Sequence, residues 1–198
     1  MERQPSSTDC YENEAEAENF LLHSLVRTAG SLATHCERVD GNEKTSVKEV
    51  EEVVRNLLLT AFSLAQNAGV DLDKIYEEKI KQVEESRPDS RLLGASPAIL
   101  NAPKFFESPM TWRDMQINQV QHNRLFQEHI FGRAKYDQLC LYALQLMSLL
   151  GSMERYRHGG LAGLNRYAGD LAVLGLNLSI LQNMELPDRP ASEDPFQP

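Results

Sequence analysis

Apolar residues in this chain recur every three or four positions, and nowhere do they alternate with polar ones for long enough to make a convincing strand. That regularity predicts an all-α fold, with helices near residues 15–38, 46–68, 72–85, 111–128, 135–153 and 164–184. In the first, Leu21, Leu25, Thr28, Leu32 and Cys36 form the stripe, and Asp40-Gly41 ends it. The second opens with Ser46-x-x-Glu49, a capping box in which hydroxyl and carboxylate satisfy each other's free amide donors. Its stripe runs Val50, Val54, Leu57, Ala61, Leu64 before Gly69 stops it, and Asp71 caps the third helix. The helix near 135–153 carries Leu139, Tyr142, Ala143, Leu146, Leu150 and Met153. The last carries Leu164, Tyr167, Leu171, Leu174, Leu178 and Leu181, is apolar nearly all round, and is expected at the centre of a bundle.

Prolines divide the chain. Four of them in "SRPDSRLLGASPAILNAPKFFESP" exclude a long helix between residues 86 and 109. The expected organisation is a loose tail (1–14), an N-terminal helical half (15–88), a linker (89–109), a C-terminal helical half (110–186) and a Pro-rich, acidic, loose tail (187–198). The two halves are read as similar helical halves of one bundle. The linker is expected to pack in part, because Leu92, Leu93, Ile99, Leu100, Phe105 and Phe106 are costly to expose.

At 198 residues and 41% apolar, the chain can bury a sizeable core. A net charge of -9 opposes non-specific attraction to a phosphate backbone, so nucleic acid is not an expected partner. Cys10, Cys36 and Cys140 show no C-x-x-C spacing and no pairable framework, and read as reduced thiols of a cytoplasmic protein. The start lacks an apolar signal core, and "LAVLGLNLSIL" (171–181) is too short to span a bilayer, so no membrane association is expected.

The stretch "EEVVRNLLLTAFSLAQNAGVDLDKIYEEKIKQVEESRP" (51–88) resembles the MazG-like all-α nucleotide pyrophosphohydrolases. It shows an acid-led apolar helix, a Gly-hydrophobic-Asp-Leu-acid turn, a helix with a Glu-Lys pair, and Arg-Pro. "FGRAKYDQLCLYALQLMSLLGSM" and "NRYAGDLAVLGLNLSIL" are similar to two further helices of the same bundle. The resemblance implies a helical bundle, a dimer or tandem repeat, and Mg²⁺-dependent cleavage of nucleoside triphosphates to monophosphate and pyrophosphate. It also implies a metal site built from Glu-x-x-Glu on one helix and Glu-x-x-Asp on the next. Residues at i and i+3 share a helix face, so two such faces supply four carboxylates for a hard cation.

Against that pattern this chain departs. Counting back from Gly69, Asn56 takes the Asp position and Val53 that of its paired Glu, while "FLLHSLVRTAG" stands where the first acidic pair belongs. In the second half Asp170 fits the Asp position, Tyr167 replaces its Glu, and the facing helix offers Gln138, Tyr142 and Gln145. The resemblance therefore implies the fold with a degenerate metal site.

Candidate metal ligands are Glu49 and Glu52, a Glu-x-x-Glu whose plain structural alternative is a capping residue beside a solvated first-turn acid, and Asp170, whose alternative is a salt bridge to Arg166 or Arg133. Arg155, Arg157 and His158, in "ERYRHGG", are candidate phosphate ligands, or else part of an exposed loop. Trp112, Gln119 and His122 are candidate ligand contacts through stacking and amide or imidazole hydrogen bonds, or else a polar seam of a bundle helix.

The leading functional expectation is a divergent MazG-like protein that binds a nucleotide-like ligand or a protein partner, without a cofactor. One alternative is an active Mg²⁺-dependent pyrophosphohydrolase using Asp170 with Asp137, Glu154 or Glu49. A second is a purely structural helical interaction protein. A homodimer is expected because Val173, Leu176 and Ile180 lie off the last helix's main stripe and need cover.

Overall fold

The structure, a computed structural model, describes residues 14–41, 46–86, 109–127, 130, 132–156 and 159–196. It is all-α: α1 (Glu14–Asp40), α2 (Val47–Ala68), α3 (Leu72–Ser86), α4 (Trp112–Phe126), α5 (Lys135–Arg155), α6 (Gly160–Leu164), a 3-10 turn (Asn165–Tyr167) and α7 (Ala168–Leu181). Among the described residues there is no strand beyond an isolated antiparallel bridge, Thr111 to Pro190. No helix among them is long and apolar enough to cross a membrane. The expected linker, apart from Pro109, lies outside the described residues.

Local signals set the ends of α2. The Ser46 hydroxyl accepts from the Lys48 amide at 3.3 Å. Gly69 takes φ 67°, and the amides of Gly69 and Val70 reach back to the carbonyls of Gln66 and Ala65. This left-handed cap is cheap only for glycine. The expected reciprocal half of the capping box is not formed, because the Glu49 carboxylate turns to α1 instead. At the start of α3, Asp71 accepts through its backbone carbonyl from Lys74 and Ile75. The buried carboxylate is Asp73, which accepts from the amides of Lys74 and Met110 and so ties α3 to the start of α4.

The central element is α7, which packs against α2, α3, α4 and α5. Two glycines permit this. A Cβ on Gly175 would stand 2.6 Å from Leu58 Cδ2 and 2.9 Å from its Cγ, and one on Gly169 would meet Ile75 and Lys79 of α3 at 3.2 Å. The homodimer expectation rested on off-stripe residues that need cover. Within the one chain Leu176 is fully buried, Val173 packs against the core and Ile180 is half-buried.

The helix expected over 164–184 is α-helical over 168–181, and the 3-10 turn and the short α6 precede it. Leu161 and Leu164 are buried, which draws the Gly-rich segment into the short α6, and Gly163 lies where a Cβ would meet the Tyr156 carbonyl at 2.8 Å. At the other end, Asn183 takes φ 54°, and the Met184 amide closes the helix on the Ser179 carbonyl at 2.9 Å.

The tail expected to be loose is also placed differently, as far as Phe196. The Trp112 amide donates to the Arg189 carbonyl and the Ala191 amide to the Met110 carbonyl. The Trp112 indole donates to the Glu193 carbonyl at 2.9 Å. Arg55 of α2 covers the Phe196 ring at 4.4 Å from its centroid. Prolines here prevent helix, but buried Leu186 and Ala191 and half-buried Phe196 still anchor the segment.

Replacing Gly175 by valine should overpack the α2–α7 contact and lower unfolding free energy by about 1–3 kcal/mol, read as a lower urea midpoint at unchanged slope. A second test concerns pH. Burial, reinforced by the neighbouring Cys140 thiol, pushes the Cys36 thiol from 9.0 up to about 12, and burial pushes the Tyr142 hydroxyl from 10.0 up to about 12. The unfolded chain therefore loses these protons first. Stability should be full below pH 9 and fall as pH rises towards 12, with a shallower early fall in Cys36→Ala.

Candidate functional site

Glu49 shows how α1 and α2 are joined. It sits near the start of α2, and its carboxylate meets Arg38 Nη1 at 3.0 Å and His35 Nδ1 at 3.3 Å, both near the end of α1. The two helices are therefore antiparallel. Beside this contact they leave a polar groove of about 570 Å³. Helix α1 contributes Arg27, Thr28, Ser31, Thr34 and Arg38, and α2 contributes Glu49, Glu52, Val53 and Asn56. Small side chains on α1 hold the groove open, and Gly30 at its edge has nothing within 4 Å of where a Cβ would stand. Asn56 also lines a second, more apolar groove of about 290 Å³ further along the same helix pair. That groove is bounded by Phe20, Leu21 and Ser24 of α1, by Leu59 and Thr60 of α2, and by Leu161 of α6. Asn56 is the residue that lines both grooves, which together are called the α1–α2 trough.

The expected metal ligands do not converge. Glu49 is engaged by α1, and Glu52 is exposed on the polar groove. Asp170 lies on α7, where Lys79 of α3 approaches its Oδ1 at 2.6 Å. Its partner is thus Lys79, not the Arg166 or Arg133 expected from sequence. Arg166 instead lies over the ring of Tyr156, 4.4 Å from its centroid. Asp137 is exposed in the first turn of α5. Gln138 donates to the Arg133 carbonyl at 2.8 Å, closing the turn into α5. Among the described residues no group of three or more His, Cys, Asp or Glu could hold a metal ion. Mg²⁺ prefers several charged oxygens or its own water shell, so the described residues do not fit it.

Trp112, Gln119 and His122 lie inside the molecule. Trp112 and Gln119 are fully buried, and His122 is buried and stacked on Phe126 at 4.8 Å between centroids. The Tyr76 hydroxyl lies 3.2 Å from both the Met115 carbonyl and Gln119 Oε1. Gln119 Nε2 donates to Asn123 Oδ1 at 2.8 Å, and Asn123 Nδ2 to Asn177 Oδ1 at 2.7 Å. Burial pushes the Tyr76 hydroxyl well above its ordinary pKa, so it stays a donor. This chain of amides joins α3, α4 and α7. Gln116 clamps the end of α7 by donating to Ser179 Oγ and the Met184 carbonyl. Neither groove is lined by Trp112, Gln119 or His122. Arg155 is exposed in the last turn of α5, while Arg157 and His158 lie outside the described residues.

The trough was not visible in sequence as a site. Its signal is the run of small residues "TAGSLAT" on α1, which fills part of a helix face without filling the space above it. The nearness of the Cys36 and Cys140 thiols, on α1 and α5, was missed for a similar reason. Nothing in their spacing announces it, and both remain free.

Removing one member of the amide chain leaves buried partners unsatisfied. Asn123→Ala should cost about 1–3 kcal/mol in chemical unfolding, and Asn123→Ala with Asn177→Ala should cost less than the sum of the two single changes. In comparison with known proteins, no protein-family model, no curated protein and no solved structure matches the chain.

Proposed function

We propose that the chain is a divergent MazG-like helical protein with a degenerate metal site, and that it acts by binding a nucleotide-like ligand in the α1–α2 trough. The observation that carries this reading is the position of Val53 and Asn56. They stand where the resemblance calls for acids, and they line the polar groove. One is apolar and the other a neutral amide. The carboxylate beside them, Glu49, is balanced by Arg38. A groove with this lining can recognise a ligand through an amide, hydroxyls and one carboxylate, but it offers no cluster of negative charge for a divalent cation.

In the same reading, α2 from the first half and α7 from the second are the paired central helices of a two-half bundle. Asp170 is then a structural acid that holds α7 to α3 through Lys79.

The test is pyrophosphate release from a panel of canonical and modified nucleoside triphosphates with Mg²⁺ or Mn²⁺, on the wild type and on Asp170→Ala. The expected result is absent or very weak turnover in both. Asn56→Asp alone should not create activity, because Val53 still supplies no second ligand. Robust turnover that Asp170→Ala abolishes would overturn the reading and establish a metal-dependent enzyme.

A further inference from the structure

The trough's polar groups are not equally engaged. Arg38 and Glu49 are used on each other. Thr28 Oγ1 donates to the Ser24 carbonyl at 2.9 Å within α1. Among the described residues, the side chains of Arg27, Glu52 and Asn56 have no hydrogen-bond or ion-pair partner; Arg27 and Glu52 are exposed and Asn56 is half-buried. Glu52 and Asn56 are four residues apart on α2, hence on one face and about 5–6 Å apart at Cβ. Arg27 of α1 lines the polar groove together with Glu52 and Asn56 and does not line the apolar one.

Two features of this arrangement define a ligand. The first is charge. With Arg38 neutralised, the lining offers one unengaged cation, Arg27, against one unengaged carboxylate, Glu52. A triphosphate would bring several negative charges to a surface that is balanced overall, and a carboxylate in the groove would repel it. The second is the division of surface. Phe20, Leu21, Leu59 and Leu161 line one half with apolar groups suited to a flat ring. The other half carries Ser31, Thr34 and Glu52, which hydrogen-bond hydroxyl groups. A carboxylate is an effective acceptor for sugar hydroxyls. Asn56, between the halves, has both a donor and an acceptor to present to a heterocycle edge.

We propose that the α1–α2 trough takes a ligand of the nucleoside class: a flat heterocycle in the Leu59–Leu161 half and an uncharged hydroxylated unit beside Glu52, with Asn56 bonding the ring edge. A monophosphate is accommodated through Arg27, and a triphosphate is disfavoured. This rests on the binding reading above and goes beyond it in excluding the polyphosphate from the preferred ligand.

Isothermal titration of the full chain in EDTA, with adenosine and uridine and with their monophosphates and triphosphates, separates the two claims. The expected result is binding of nucleosides and monophosphates, with triphosphates weaker by about tenfold or more, a difference of ~1.4 kcal/mol. Asn56→Leu should weaken every member, Arg27→Ala should weaken the phosphorylated members and spare the nucleosides, and Glu52→Gln should narrow the gap between adenosine and its triphosphate. Because Glu52 and Arg27 are exposed, those two variants keep the test open should Asn56→Leu fail to fold. Triphosphates binding more tightly than nucleosides without metal would overturn this inference and leave the binding reading standing. Absence of binding by every compound would overturn both. Binding unchanged in folded Asn56→Leu, or in both Glu52→Gln and Arg27→Ala, would overturn the assignment to the trough.

Discussion

The contact on which the rest depends is the close approach of α2 and α7 at Gly175. There the absence of a side chain lets Leu57 and Leu58 seat directly on the α7 backbone. Leu57, Leu58, Leu171 and Leu178 are all fully buried. Dispersion falls off steeply with separation, so a gap of an ångström at this contact would be felt through the core. With α7 enclosed by α2, α3, α4 and α5, its few polar groups have to be satisfied from within. Asn177 and Ser179 are hydrogen-bonded inside the core, and Asp170 at the helix start reaches Lys79.

What could be read from sequence follows the range of the forces involved. Helix α2 is fixed by neighbours in the chain, its cap at Ser46 and its glycine at residue 69, and it lies within a residue of its expected bounds. The final helix was expected over 164–184 and is α-helical over 168–181. The short helix and 3-10 turn ahead of it depend on Leu161 and Leu164 meeting a core that the local sequence does not describe. The segment after Leu186 carries the composition of a loose tail, yet Trp112 draws it in with an indole hydrogen bond, a long-range partnership that composition cannot register. Apolar period identified the stripes, whereas the partners of Asp170 and Glu49 depend on how helices pack.

The candidate site shows the same division. The side of α2 on which Val53 and Asn56 lie was legible, because helix spacing places residues on faces. The trough itself was not, because a cavity is set by what two helices fail to fill. Gly30, Ser31 and Thr34 are unremarkable in a sequence and become a groove wall only once α2 lies beside them. Trp112 and Gln119 drew notice as polar and aromatic groups on one face, and they are bonded within the fold. Two of the three candidate metal acids are balanced by cations on other helices, Glu49 by Arg38 and Asp170 by Lys79, while Glu52 is exposed.

The most direct test of that account is a backbone NMR titration of the chain with adenosine in EDTA, followed by Mg²⁺ alone. The account predicts that adenosine shifts the resonances of residues 24–31 and 52–60, around Asn56, and that Mg²⁺ leaves Asp170 and Lys79 unmoved. Adenosine shifts absent from that trough, with Mg²⁺ shifts gathered around Asp170, would contradict it.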